Sequence, residues 1–92
     1  MKRNTKAIKD ACAVVGSQAE MARLLGVSAP TVNEWVTGQR PVPVARCIVI
    51  ERLTQQKGKR IPVERFNPRL NWDLLRLLHA EAQPEPAERV EG

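Results

Sequence analysis

Between Ser28 and Thr37 the chain reads "SAPTVNEWVT", a run of hydroxyls with one carboxamide and one carboxylate. A helix with only a structural task would carry Glu, Lys and Arg on its wet side. This set suits hydrogen-bonded recognition rather than bond breaking. The Asn33 carboxamide can donate and accept through adjacent atoms, the pattern that pairs bidentately with N6 and N7 of adenine. The Glu34 carboxylate can accept from a cytosine amine, and it would repel a phosphate. Ala29 and the Thr31 methyl can meet a thymine methyl, and Ser28 adds a hydroxyl. No Arg lies in this stretch, so the reading of guanine by a guanidinium is not offered here. The plainer alternative is that Asn33 and Glu34 are a solvated face.

Catalytic chemistry finds little support. The one His is His79, placed among leucines and expected to face solvent. No Cys–His arrangement, carboxylate pair or Gly-rich phosphate loop has useful spacing, so neither an enzyme nor a cofactor is expected. Cys12 and Cys47 are far apart and match no metal or redox spacing. They are expected to be small buried apolar residues of a reducing compartment.

The elements that must position these groups follow from apolar spacing. Ile8, Ala11, Cys12 and Val15 recur at i, i+3, i+4 and i+7, one helical face, with Asn4 or Thr5 as cap and Gly16 as stop. Ser17 and Glu20 have capping-box spacing and open a second helix with Met21, Leu24 and Leu25 inward, ended by Gly26. Ser28 caps a third helix, with Pro30 tolerated in its first turn and Val32, Trp35 and Val36 inward. "GQRPVP" reads as a loop. A fourth helix is predicted from about Pro43 to about Gln56, then a basic turn "KGKR" and one or two helical turns in "IPVERF". Asn71 can cap a last helix, "WDLLRLLHAEAQ". The chain is therefore expected to be all-α, with five or six short helices.

Gln18 to Thr37 meets the needs of a helix-turn-helix. Ala22 is small enough for close approach of the two helices, Gly26 can take a left-handed backbone, and Val27 can pin the turn. Met21 and Leu25 face Val32 and Trp35 across the pair. These fall at the spacing the motif demands.

Here the chain resembles the Cro/CI-type phage repressor family, whose fold is the lambda-repressor-like bundle. More narrowly, "GSQAEMARLLGVSAPTVNEWVTGQRPVPVARCIVIERLT" is similar to the YdaS-type Cro-like regulators of prophages. Gly38, Pro41 and Pro43 stand at the positions of that family's loop, and Arg46, Cys47, Ile50 and Glu51 at those of its next helix. The stretch Phe66-Asn67-Pro68-Arg69-Leu70 departs from the family's Arg-Pro-Asp-Leu ending. The resemblance implies a transcriptional repressor acting on a double-stranded DNA operator. The helix from Ser28 would lie in the major groove, with Ser28, Ala29, Thr31, Asn33 and Glu34 toward base edges.

Charge agrees with a polyanionic partner. Residues 1–79 hold 14 Lys and Arg against 6 Asp and Glu, and residues 80–92 hold 1 against 4. Phosphates are expected at Ser17 and Gln18, where a helix begins with free N–H groups, and at Gln39 and Arg40 beyond the recognition helix. Arg23, Arg46, Lys2, Arg3 and Lys6 are weaker candidates. The expected division is a DNA-binding domain over 1–79 and an acidic, disordered tail over 80–92.

One helix-turn-helix reads too few base pairs to single out a genomic site, and regulators of the resembled family pair about a two-fold axis, so a homodimer is expected. The last helix has more leucine than one stripe needs. Phe66, Leu70, Trp72 and Leu75 are the expected contact. The same surplus suits the rival reading, a protein-binding module such as an antitoxin gripping a toxin. No stretch approaches the roughly 20 apolar residues of a membrane span, and the basic N-terminus is not a secretory signal, so a cytoplasmic, nucleoid-associated protein is expected.

Overall fold

The computed structural model describes residues 5–82, with side chains described through Leu78. Lys2, Arg3, Asn4, the His79 side chain and the tail beyond Ala82 lie outside the described residues. Five α-helices follow in order: α1 (Lys6–Val15), α2 (Gln18–Leu25), α3 (Ala29–Thr37), α4 (Val44–Gln56) and α5 (Trp72–Ala82). One turn of 3-10 helix, Val63–Arg65, lies between α4 and α5. Among the described residues there is no strand, as the helical spacing predicts.

α1 is the central element, packing against α2, α3 and α4. Its expected face is buried: Ile8, Ala11, Cys12 and Val15, joined by Ala7. The main core adds Met21, Ala22 and Leu25 from α2, Val32 and Trp35 from α3, and Ile50 from α4. Leu24 and Val36, expected inside, are only partly buried at its edge. A smaller cluster of Cys47, Ile48, Val63 and Trp72 joins α4 to α5.

The ends of the helices show which local signals act. Ser17 Oγ accepts from the Glu20 N–H at 3.0 Å. The returning half of the expected capping box is not formed, because the Glu20 carboxylate is held by Arg23 through Nε, at 3.0 Å, and through Nη2. Thr5 stands at the start of α1 but makes no side-chain cap. Gly26 closes α2 at φ 73°, with its N–H bonded to the Ala22 and Arg23 carbonyls. A Cβ at Gly26 would meet no atom within 4 Å, so the left-handed backbone rather than crowding asks for glycine.

Long-range polar contacts fix how α4 and α5 sit. Arg46 Nη1 donates to the Leu25 carbonyl at 3.1 Å, tying the start of α4 to the end of α2. Glu51 is buried and accepts from Arg60 at 2.8 Å, from Arg76 at 3.1 Å and from the Val63 N–H at 3.1 Å. Burial alone would push the Glu51 carboxyl up, but the Val63 N–H and the two guanidinium groups bring it below its ordinary range.

Candidate nucleic-acid interface

α2 and α3 form a tight corner around Gly26 and Val27. The Val27 N–H donates to the Ala22 carbonyl at 3.0 Å. Val32 and Trp35 lock α3 into the core, and Trp35 is only 4% exposed. The opposite side of α3 is thereby turned outward. Ser28, Ala29, Asn33 and Thr37 are exposed, and Thr31 and Glu34 are half-buried.

The amino end of α3 is well ordered by its own side chains. Ser28 Oγ accepts from the Thr31 N–H at 3.2 Å and lies 2.8 Å from Thr31 Oγ1. Pro30 stands in the first turn, where its missing N–H costs no helical bond. The Ser28 and Thr31 hydroxyls therefore already have each other, which leaves the Thr31 methyl and Ala29 as apolar surface. Thr37 Oγ1 is returned to the Asn33 carbonyl at 2.9 Å. The Asn33 carboxamide has no such tie to the described residues. It is the one outward amide on α3 with both donor and acceptor open.

Glu34 is differently placed. Its carboxylate Oε1 receives Arg40 Nε at 3.1 Å, and its carbonyl accepts from the Gln39 and Arg40 N–H groups at 2.9 and 3.2 Å. The residue expected to read a base and the one expected to hold a phosphate thus form one ion pair beside the end of α3. Gln39, Arg40 and Arg46 border a depression that Trp35 and Val27 also line.

At the other end, Ser17 and Gln18 are exposed at the start of α2. The Ser17 hydroxyl is engaged as a cap, so an anion there would meet the N–H groups and the Gln18 side chain. Of the weaker basic candidates, Arg23 is paired with Glu20, Lys6 with Asp10 at 3.3 Å, and Arg46 with the Leu25 carbonyl. Arg46 serves to hold the corner, a role that its sequence position did not signal.

The residues expected at a contact between copies are not placed alike. Trp72 is buried within the protomer at 4% exposure, and its Nε1 donates to the Asn67 carbonyl at 2.6 Å. Phe66 and Leu75 are partly buried against the same cluster. Leu70 is at the surface, and Leu74, Leu77 and Leu78 are about half exposed on α5. The exposed apolar residues are thus Leu74, Leu77 and Leu78 on α5 and Leu70 before it, whereas Trp72 is turned into the protomer.

No metal-binding group of His, Cys, Asp and Glu forms among the described residues, and no described helix is long and apolar enough to cross a membrane. Residues 8–65 match the model of a family described as bacterial toxin YdaS. A curated protein of Escherichia coli (strain K12), "Putative transcriptional regulator YdaS", is 47% identical over 76 residues, which cover 83% of this chain and 74% of that relative. No solved structure matches the chain. The matched span takes in the corner of α2 and α3, the Arg46 tie and Glu51, and the chain belongs to the YdaS family.

Proposed function

We propose that this chain is a sequence-specific DNA-binding transcriptional regulator of the Cro-like repressor type, working in the cytoplasm on the nucleoid. The observation that carries the reading is α3 itself. Its inner side is locked by Val32 and Trp35, and its outer side presents an untied carboxamide at Asn33 beside small apolar groups. That is the arrangement a recognition helix needs in a major groove. The name of the Escherichia coli relative, a transcriptional regulator, supports it. Asn33 reads adenine, Ala29 and Thr31 meet thymine methyls, and Ser28 approaches the bases at the amino end of α3. Glu34 accepts from cytosine or holds Arg40. Ser17, Gln18, Gln39 and Arg40 meet phosphates on either side of the groove. Repression follows from occupying the operator, and no catalysis or cofactor is involved.

Two copies related by a two-fold axis would set their recognition helices in successive major grooves, about 34 Å apart. The exposed leucines of α5 are the surface for this pairing. The same leucines favour a second reading, in which α5 grips a different protein such as a toxin.

The deciding experiment is selection of bound duplexes from a random pool, followed by salt titration on the selected site. A defined motif and a steep loss of affinity with salt are expected. Failure to bind any duplex at low salt overturns the DNA reading and leaves the protein-binding one.

A further inference from the structure

The basic turn after α4, Lys57-Gly58-Lys59-Arg60, has no part in the interface described so far. Its backbone is closed and anchored. The Gly58 N–H donates to the Gln55 carbonyl at 2.9 Å and the Lys59 N–H to the Thr54 carbonyl at 3.0 Å. Gly58 makes this possible by adopting φ 90°. Just beyond the turn Ile61 is buried, and its N–H donates to Thr54 Oγ1 at 2.9 Å. The turn is therefore clamped on both sides, and its side chains start from fixed positions.

The three cations differ in what they do. Arg60 turns inward to Glu51 at 2.8 Å and is committed to the fold. Lys57 and Lys59 are exposed, and neither ammonium makes an ion pair or hydrogen bond among the described residues. Such cations can turn toward an anion without breaking an ion pair or hydrogen bond of the fold.

Their place in the fold gives them a neighbour. Lys59 lines a depression with Ala13 and Val14, in the last turn of α1. Asp10 shares that depression, but its carboxylate is occupied by Arg65 at 2.7 Å and Lys6 at 3.3 Å. Lys57 stands close enough to the first turn of α2 to act on Glu20. That carboxyl is held below its ordinary range first by the Arg23 hydrogen bond and also by the Lys57 charge. Lys59 thus stands by the end of α1 and Lys57 near Glu20 in the first turn of α2, the two elements joined through Gly16 and Ser17.

We propose that Lys57 and Lys59 bind the sugar-phosphate backbone of duplex DNA beside the phosphate met by the amino end of α2. The inference rests on the DNA-binding reading and extends it to the turn that follows α4. A lysine ammonium suits the task because it acts as a point charge and tolerates variation in phosphate geometry. Each phosphate so neutralised releases condensed counterions, and the contact carries no base preference.

The test uses the full chain and the selected duplex. Lys57→Gln and Lys59→Gln should each lower the log–log salt slope by about 0.9, and together by about 1.8, with the preferred sequence unchanged. Thermal melting should stay at the wild-type value, since both side chains are exposed. Arg69→Gln, which removes one exposed charge from the loop before α5, is the matched control and should leave the slope nearly alone. A double variant with the wild-type slope overturns the proposal while the DNA reading stands, and so does an Arg69→Gln effect as large as either lysine's. If wild-type protein binds no duplex, the DNA reading fails and this inference falls with it.

Discussion

Glu34 and Arg40 face each other as an ion pair, Arg40 Nε standing 3.1 Å from Glu34 Oε1. Arg40 is largely in solvent and Glu34 is half-buried, so the pair adds little to stability. Its interest lies in binding. Arg40→Ala should lower the salt slope by about one and weaken specific and random duplexes alike. Glu34→Gln removes a negative charge from the phosphate side, so binding to random DNA should tighten. If Glu34 accepts from cytosine, the selected site should gain less than random DNA does, which a comparison of the two affinities reads directly.

Asn33→Ala should cost about 1–3 kcal/mol on the selected site and relax choice at one base pair. Random duplexes should be bound almost as before. Equal loss on both kinds of DNA would remove Asn33 from base reading.

Trp35 fills the space between α3 and the core. Trp35→Ala should destabilise the fold by roughly 3–5 kcal/mol, a large part of what a small domain has. Chemical denaturation measures this. A stable variant that has lost only DNA binding would put the indole on the wrong side of α3.

The Glu51 cluster should make the seating of α5 sensitive to acid. The folded carboxyl titrates below its ordinary value of 4.5, so its contribution is complete above that pH and is lost as pH falls through the folded value. Glu51→Gln should flatten this limb of the stability profile and cost about 1–2 kcal/mol near neutrality, since both arginines are partly wet. Denaturation curves across pH 3 to 7 would show no difference in slope between the two proteins if the cluster were idle.

Pairing of copies should depend on the outer leucines of α5. Leu77→Glu places a charge on a residue 55% exposed, so the fold should survive while sedimentation on the selected duplex shifts from two bound copies to one. Leu75→Glu is a poorer probe, because Leu75 packs on the Trp72 cluster and its change would disturb the protomer. Wild-type protein sedimenting as a monomer while binding one half-site at full affinity would end the dimer proposal.

What could be read from the sequence was what local spacing controls. The faces of α1, α2 and α3 follow from apolar recurrence at three and four residues, and the stops at Gly16, Gly26 and Gly38 follow from the helix ends that glycine allows. Trp72 shows the limit. Its type and neighbours suit an exposed contact, and only the arrival of Cys47, Ile48 and Val63 from distant segments decides that it is buried. Glu51 is similar: a carboxylate on an apolar helix face gives no hint that Arg60 and Arg76 will converge on it. The Arg46 bond to Leu25 spans 21 residues and belongs to no helical period. The outer face of α3 was legible by residue type, whereas the pairing of Glu34 with Arg40 depends on how the chain leaves α3.

The two cysteines have a practical consequence. Burial pushes the Cys12 thiol up to about 11 and the Cys47 thiol up to about 12. At neutral pH both thiols stay protonated, and both are buried, so neither reacts readily with a reagent in solvent. A cysteine introduced on an outward position such as Thr37 should therefore react with a maleimide dye well before either native thiol. The chain can carry one fluorophore at the carboxyl end of α3 without any prior removal of native thiols.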